Sequence, residues 1–215
     1  MVKILGVSGS PRKSGTEYMV KEGLKAAEKI AGVTTEFIAL RGKKIGFCLH
    51  CDRCLRKEVL WCPAHEEDDM KELYPKIAEA DGYILGSPVY QMNMSGQMLT
   101  FLNRWRPLWP LIKDGHLKTR VGGALVVGGT RHGGQENALE AINNFFMCFG
   151  MLPVTGGPWA YNGGAVWSQD KKEQGVRDDE VGLATVRALG RRVGEVASLI
   201  AAGKTIYKMS PTLQG

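Results

Sequence analysis

Apolar and polar positions along the chain follow two periods, and segments of the two kinds alternate. Short apolar runs rich in β-branched residues predict strands, and longer runs with apolar residues at helical spacing predict helices. The predicted strands cover 2–8, 33–40, 81–88, 120–129 and 151–156. The predicted helices cover 16–32, where Thr16 is the expected cap, and 68–80, 95–105, 133–150 and 178–203.

This strict alternation of strand and helix predicts an α/β fold. Parallel strands joined by helical crossovers form a sheet with helices on both of its faces. We therefore expect a three-layer sandwich around a five-stranded parallel sheet. The whole chain, 1–215, is interpreted as a single domain with a cysteine-rich insertion at 41–66 and a C-terminal tail at 203–215.

Three of the predicted strand-to-helix turns, 8–16, 86–96 and 128–135, are unusually rich in Gly, Ser and Thr. In an open parallel sheet these turns meet at one edge, where ligands bind. The first turn, "SGSPRKSGT", combines hydroxyl groups, two cations and a helix start, which is what a phosphate needs. Its spacing fits neither a Walker loop nor a dinucleotide fingerprint. The predicted phosphate contacts are Ser10, Arg12, Ser14 and Thr16, with Ser8 and Lys13 beside them.

The second and third turns suit a flat heterocycle. Pro88 stiffens the second turn, so that the backbone of Val89–Gln91 faces a ring at fixed spacing and Tyr90 stacks on it or lines its edge. The third turn brings glycines that let a ring lie close to the backbone. Its expected contacts are Gly128, Gly129, Thr130 and Gly134. His132 in the same turn is a candidate contact to the ring or a proton donor, with an ordinary solvated histidine as the alternative.

Four of the five cysteines lie within fifteen residues, in "CLHCDRCLRKEVLWC". Cys48, Cys51 and Cys54 recur every third residue, and Cys62 follows and precedes a proline. Zinc sites usually separate two Cys pairs by a dozen residues or more, whereas this compact run is closer to a ferredoxin cluster loop. Zinc and free thiols remain alternatives. The nearby His50 and His65 are expected to flank the site rather than to bind metal, and Cys148 is expected in the core.

The segments "GSPRKSGT", "GSPVYQMNMSGQMLTFLNR" and "GGQENAL", in this order, resemble the flavodoxin-like NAD(P)H-dependent FMN reductase family. The cysteine spacing followed by "DDM" and "EADGYILGSPVY" is similar to the iron–sulfur flavoproteins within that family. The resemblance spans roughly residues 2–200. It implies a flavodoxin-like fold and FMN, with phosphate contacts in Ser10–Thr16 and ring contacts at Pro88, Val89, Tyr90, Gln91, Gly129, Thr130 and Gly134. It also implies a [4Fe–4S] cluster on Cys48, Cys51, Cys54 and Cys62.

The resemblance implies a flavin-dependent oxidoreductase as well. Its electron donor would be ferredoxin or NAD(P)H, and its acceptor a small molecule such as a quinone, oxygen or peroxide. The alternatives are a cluster-free NAD(P)H-dependent FMN, quinone or metal-ion reductase and a zinc-stabilised nucleic-acid-binding module. Members of the family form homodimers or homotetramers, and Trp105 and Trp109 in "WRPLWPLIKDGH" are expected to be exposed for such an interface.

The net charge of +6 raises the question of nucleic acid. The Lys and Arg residues are scattered, without the basic block or interleaved aromatics of a strand-binding groove, so we expect no nucleic-acid partner. A phosphate and a ligated cluster contribute about −2 each, which would bring the charge to roughly +2. No apolar run reaches the length of a membrane span and no secretory signal is legible, so a cytoplasmic protein without a membrane partner is expected.

Overall fold

The computed structural model describes residues 1–204, and its centre is a parallel sheet. Its main strands are β1 (Val2–Ser8), β2 (Val33–Ala39), β3 (Gly82–Tyr90) and β5 (Val121–Gly128). Three shorter strands are β4 (Asn93–Met94), β6 (Leu152–Pro153) and β7 (Gly164–Trp167). The order across the sheet is β2-β1-β3-β5-β6, with β4 paired to β3 and β7 paired to β5. All of these pairings are parallel except that of the β3–β4 hairpin.

Helices cover both faces of the sheet, as the alternating pattern predicts. The longer ones are α1 (Gly15–Ala27), α3 (Met70–Glu79), α4 (Gly96–Asn103), α6 (Gln135–Cys148) and α8 (Glu180–Gly203). The shorter ones are α2 (Arg53–Arg56), α5 (Trp109–Lys113) and α7 (Lys172–Asp178), with 3-10 turns at Arg106–Leu108 and His116–Thr119. Alternation along β1 explains the two cores, since Leu5 and Val7 pack with α3, α4 and α6 while Val2 and Ile4 pack with α1 and α8.

The predicted fifth strand is the main difference between the expectation and the structure. Residues 151–156 supply only the two-residue β6, which pairs with the start of β5 at Val121 and Gly122. The unpredicted β7 pairs with the end of β5, so two short strands share the fifth position. Smaller differences are that α1 begins at Gly15, with Ser14 rather than Thr16 at the cap, and ends at Ala27.

The termini and helix lengths bear on two further expectations. Of the predicted tail at 203–215, Gly203 is the last residue of α8 and Lys204 follows it. Residues 205–215 lie outside the described residues. Within residues 1–204, no helix combines the length and the apolar character needed to cross a membrane.

Candidate functional site

The loop between β1 and α1 is a compact turn with its own hydrogen bonds. The Ser10 hydroxyl accepts a hydrogen bond from the Arg12 N–H at 3.1 Å and donates one to the Arg12 carbonyl at 2.9 Å, which fixes the turn. Ser14 is the N-cap of α1, yet its side chain makes no capping bond among the described residues. The first N–H groups of α1 and the Ser14 hydroxyl therefore face the strand edge, where a phosphate is favoured.

The second loop is a tight hairpin that leads out of β3. Val89 pairs with Met94 and Tyr90 with Asn93, so Gln91 and Met92 form a two-residue turn. Both residues have positive φ, 49° and 63°, an arrangement that favours glycine or asparagine and that stores strain here. The turn is therefore held by its surroundings, and it fixes the direction of Tyr90.

The first and second loops are joined by direct hydrogen bonds. The Ser95 hydroxyl donates to the Gly9 carbonyl at 2.6 Å, and the Gly9 N–H donates to the Gly86 carbonyl at 2.8 Å. At the rim, an Arg12 guanidinium N–H donates to the Tyr90 hydroxyl at 3.2 Å. The loops after β1 and β3 are thus joined by hydrogen bonds at this edge of the sheet.

The third loop packs against the second. Gly134 has φ 94°, and a Cβ built on it would lie 2.5 Å from the Met92 Cα. Gly134 thereby supports the strained turn. The Thr130 carbonyl accepts a hydrogen bond from the Gln135 side chain at 2.6 Å, which shapes the same loop.

A fourth loop, which the sequence pattern does not predict, lies at the same edge of the sheet. It follows β7, whose end lies beside the end of β5, so residues 168–172 reach the same sheet edge. A Cβ on Gly129 would lie 2.0 Å from a carboxylate oxygen of Asp170, so the two loops are in close contact. The signal in the sequence was the polar run "SQDKK" after the short apolar segment "GAVW".

Together the four loops line a cleft of about 290 Å³. The predicted contacts that line it are Ser10, Arg12, Ser14, Thr16, Pro88, Val89, Tyr90 and Gly129. The lining residues that were not predicted are Gly15, Val127, Ser168, Asp170, Lys172 and Val176. The predicted residues outside the lining are Ser8, Lys13, Gln91, Gly128, Thr130, His132 and Gly134. Ser8 is fully buried below the cleft, where its hydroxyl contacts the Ser10 N–H, while Gln91 and Gly134 shape the neighbouring turns.

The cysteine-rich segment is fixed at both ends by one buried ion pair. The Arg104 guanidinium, 1% exposed, pairs with Asp68 and donates to the Gly46 carbonyl at 2.8 Å. Asp68 in turn accepts the N–H groups of Gly46 and Met70, each at 3.1 Å. Arg104 and Asp68 therefore join the entry of the segment to its exit, and we name them the loop clamp.

All four clustered cysteines line one small cavity, together with Arg104 and Arg106. His50 and Asp52, which alternate with Cys48, Cys51 and Cys54, have positive φ of 49° and 55°, so the backbone coils around the cavity. Burial raises the pKa of the Cys54 thiol and the neighbouring Cys62 raises it further. Within residues 1–204 no group of three or more Cys, His, Asp or Glu side chains is already arranged to hold a metal ion.

Two expectations for residues near this cavity are wrong. Cys148 is exposed at the end of α6, in a groove that also contains Cys48, because it lies on the outer face of the helix while Phe146 of the same turn is buried in the core. Trp105 is fully buried, in edge-to-face contacts with Tyr83 and Phe101, because it lies on the inner side of the turn after α4. Trp109 is 37% exposed, as expected.

A groove of about 420 Å³ lies between the cleft and the cysteine segment. Tyr90 lines both the cleft and this groove, and the opposite wall includes Lys43, Ile45 and Phe47. Phe47 directly precedes Cys48 and is 76% exposed. The cleft and the cysteine cavity are therefore neighbours on the same side of the molecule.

A family model described as NADPH-dependent FMN reductase matches residues 2–165. The chain belongs to this family. Membership in the FMN reductase family makes the chain a flavin-dependent oxidoreductase with FMN as cofactor, and the cationic, hydroxyl-rich cleft fits that group.

Relatives named iron–sulfur flavoproteins confirm the predicted resemblance. One from Methanocaldococcus jannaschii is 43% identical over 197 residues, which covers 91% of this chain and 96% of the relative. One from Methanosarcina thermophila is 33% identical over 93% of this chain and 97% of the relative. A protein named NAD(P)H dehydrogenase (quinone), from Acidithiobacillus ferrooxidans, is 36% identical over 56% of this chain and 64% of its own length.

Solved structures confirm the flavodoxin-like fold of this member of the FMN reductase family. A flavodoxin described as WrbA-like, from Agrobacterium tumefaciens, superposes with a TM-score of 0.63 at 18% identity, covering 93% of this chain and 99% of the other. A flavodoxin from the domain Archaea superposes with a TM-score of 0.55 at 16% identity, covering 92% and 99%.

Proposed function

We propose that the protein is an electron-relay flavoprotein that carries FMN in the cleft and a [4Fe–4S] cluster on Cys48, Cys51, Cys54 and Cys62. The observation that carries the proposal is that these four cysteines line one cavity beside the flavin cleft. The names of the relatives at 43% and 33% identity support it.

In the proposed complex the first loop holds the FMN phosphate. Arg12 and the N–H groups at the start of α1 supply positive charge, and Lys172 adds a second cation. Glu17, buried in the first turn of α1, is paired with Arg41, so its negative charge is neutralised close to the phosphate. The flavin ring lies against Pro88, Val89 and Tyr90 on one side and Gly129 on the other.

The spacing of the four cysteines favours a cluster over a zinc ion, because they lie within fifteen residues rather than in two separated pairs. Four thiols line the cavity, and the guanidinium groups of Arg104 and Arg106, each paired with a carboxylate, lie beside them. Ligation replaces the thiol proton that the buried Cys54 otherwise keeps. No metal site is preformed among residues 1–204, so binding of the metal would have to draw the four thiols together.

The two cofactors together supply a conversion between one-electron and two-electron transfer. The chain contributes rigid placement, through the loop clamp on the cluster side and the hydrogen-bonded loops on the flavin side. The proposed donor is ferredoxin or NAD(P)H, and the proposed acceptor is a small molecule such as a quinone, oxygen or peroxide. The groove between Tyr90 and Phe47 is an aromatic-walled space in which such an acceptor would reach the flavin edge.

We also propose that the chain assembles as a homodimer or homotetramer. Large apolar side chains are exposed near the two sites and on the loop before β7. Phe47 is 76% exposed, Trp159 85% and Tyr161 74%, and these side chains would be buried in such an assembly.

The deciding experiment is iron and acid-labile sulfide analysis of protein purified without air, with the visible spectrum recorded on the same sample. We expect four iron and four sulfide per chain, as the cluster formula requires, and a broad shoulder near 400 nm over the flavin bands. Cys51→Ala should lose the cluster and keep FMN, because the two sites use separate loops. Cys148→Ala is the matched control, since this exposed thiol lies outside the cavity lining, and it should keep both cofactors.

Flavin bands without iron in the wild-type protein would sink the cluster proposal and favour a cluster-free FMN, quinone or metal-ion reductase. Zinc in place of iron would sink it as well. Loss of FMN together with the cluster in a folded Cys51→Ala protein would refute the separation of the two sites.

A further inference from the structure

One carboxylate in the flavin cleft has no partner in the chain. Asp170, in the fourth loop, lines the cleft, and within residues 1–204 its carboxylate makes no hydrogen bond and no ion pair. The adjacent Lys171 instead donates to the Gln169 side chain at 2.9 Å. A carboxylate repels the phosphate that the same cleft is proposed to hold. It can therefore contribute to binding only through a hydrogen-bond donor of the ligand.

The fourth loop is fastened to the third loop by hydrogen bonds. The Ser168 N–H donates to the Gly128 carbonyl at 2.8 Å, and the Trp167 indole N–H donates to the Gly129 carbonyl at 2.9 Å. A Cβ on Gly129 would lie 2.0 Å from an Asp170 carboxylate oxygen, so the carboxylate occupies the space that this glycine leaves open. Asp170 is thereby held beside Gly129, where the flavin ring is proposed to lie.

The other end of the fourth loop contacts the start of α1. A Cβ on Gly15 would lie 3.3 Å from the Lys172 carbonyl oxygen and 2.4 Å from a methyl carbon of Val176. Gly15 is the first residue of α1, whose N–H groups are proposed to bind the phosphate. The loop therefore crosses the cleft from the phosphate end at Lys172 to the ring end at Asp170. Both residues have positive φ, 56° and 55°, a strained backbone that these contacts hold in place.

The position of Asp170 selects one donor of FMN. An ionised carboxylate only accepts hydrogen bonds. FMN offers two kinds of donor, the ribityl hydroxyls between the phosphate and the ring, and the imide N–H of the ring itself. Because Asp170 lies at the ring end of the cleft, the imide N–H is the donor that matches it.

We propose that the Asp170 carboxylate accepts a hydrogen bond from the imide N–H of the FMN ring and places a negative charge beside the ring. This inference rests on the proposed place of FMN in the cleft and does not depend on the cluster. A charge-assisted hydrogen bond of this kind strengthens flavin binding. The same negative charge disfavours the electrons that reduction adds to the ring, so Asp170 lowers the reduction potential of the flavin.

The first test compares Asp170→Gly with Gln169→Gly by quenching of flavin fluorescence during titration of the apoprotein. Glycine suits both positions, because Gln169 and Asp170 have φ of 51° and 55°, so neither substitution strains the backbone. Asp170→Gly should weaken FMN binding by about tenfold, the loss expected for one charge-assisted hydrogen bond. Gln169→Gly should keep the wild-type affinity, since its side chain is outside the cleft lining.

FMN methylated on the imide nitrogen separates this contact from a general effect on the loop. The methyl group removes the donor, so the analogue should bind the wild type about tenfold more weakly than FMN does. Because the hydrogen bond is then already absent, Asp170→Gly should cause no further loss of affinity for the analogue. An equal loss of affinity for both flavins in Asp170→Gly would mean that Asp170 acts only on the fold of the loop, and it would overturn the inference.

The reduction potential of the bound FMN is the second readout, measured by redox titration followed at the flavin absorbance bands. Asp170→Asn removes the charge and keeps the shape of the side chain, so the potential should rise above the wild-type value. Asp178→Asn is the control, because it removes the same charge from α7, outside the cleft lining, and should leave the potential unchanged.

A wild-type potential in Asp170→Asn would also contradict the inference, while the proposed function would stand. Wild-type apoprotein that does not bind FMN is a different result, because it would refute the proposed flavin site itself and the role of Asp170 with it.

Discussion

At the scale of single residues, the flavin cleft depends on backbone conformations that side chains disfavour. Gln91 and Met92 in the hairpin turn, and Asp170 and Lys172 in the fourth loop, all have positive φ. Such strain persists only where neighbouring contacts hold it in place. Gly134 provides one of these contacts, since its missing side chain leaves room for Met92.

We predict that Gly134→Ala weakens FMN binding by about tenfold or more. The added Cβ would lie 2.5 Å from the Met92 Cα, and φ 94° is itself unfavourable for alanine. A strain of about 1–3 kcal/mol placed on the turn corresponds to that loss of affinity. Quenching of flavin fluorescence during titration of the apoprotein measures it.

Gly32→Ala is the control for this prediction. Gly32 has a comparable φ of 79°, but nothing lies within 4 Å of the added Cβ, and the residue is at the opposite edge of the sheet. It should lose stability without a change in FMN affinity. Equal affinity in Gly134→Ala and wild type would show that the turn does not depend on this contact.

At the scale of elements, the loop clamp decides whether the cysteine segment is ordered. We predict that Asp68→Asn destabilises the protein by about 3 kcal/mol, because it leaves the buried Arg104 guanidinium without its counter-charge. The melting temperature should fall by roughly 6–12 °C. Thermal unfolding followed by circular dichroism measures the change, and limited proteolysis should cut within 41–66 faster.

Asp52→Asn is the matched control, since it breaks the Arg106–Asp52 ion pair of the same segment. The two side chains of that pair are 24% and 41% exposed, so solvent already screens it. Its melting temperature should stay close to the wild-type value. A fall as large as that of Asp68→Asn would mean that the segment is held by its total charge rather than by the clamp.

The sequence predicts an element well when its hydrophobic pattern extends over many residues. It predicts an element poorly when the element is short and forms only by pairing with a strand far away in the chain. The strand 2–8 and the helix 178–203 carry strong patterns, and the structure has them at Val2–Ser8 and Glu180–Gly203. β7 has four residues, and only its pairing with β5 makes it a strand. Because β7 positions the fourth loop, the missed strand also explains why Asp170 and Lys172 were missed in the cleft.

The same limit applies to burial. The sequence shows Trp105 and Cys148 only as members of apolar segments, and it assigns the first to the surface and the second to the core. Both assignments are wrong, because burial depends on which side of the turn after α4 and of the helix α6 each residue faces, which the pairing of distant elements decides. The four clustered cysteines were predictable as a group, since their spacing alone brings them to one cavity.

At the scale of the whole molecule, the carboxyl ends and the amino ends of the strands carry different groups of residues. The carboxyl ends of the strands carry the cleft, whereas the amino ends of β3 and β5 carry a charged cluster around His116, Arg120 and Asp81. Arg120, 5% exposed, pairs with Asp81 and contacts the His116 ring. Stability at this edge can therefore change without direct contact with the cofactor sites.

We predict that acid weakens the fold through His116. Burial lowers the pKa of His116, and Arg120 and Lys204 lower it further, while the Ala78 carbonyl and Asp81 act in the opposite direction. The unfolded chain, with an ordinary histidine pKa of about 6.5, then binds the proton more readily than the folded protein. The free energy of unfolding should therefore fall as the pH drops below about 6.5 and level off below the folded-state pKa.

Urea unfolding at a series of pH values measures the slope of the free energy of unfolding against pH. The slope should be smaller in His116→Gln. It should be steeper in Asp81→Asn, because Asp81 favours the protonated ring. Identical slopes in wild type and His116→Gln would place the acid sensitivity in other groups.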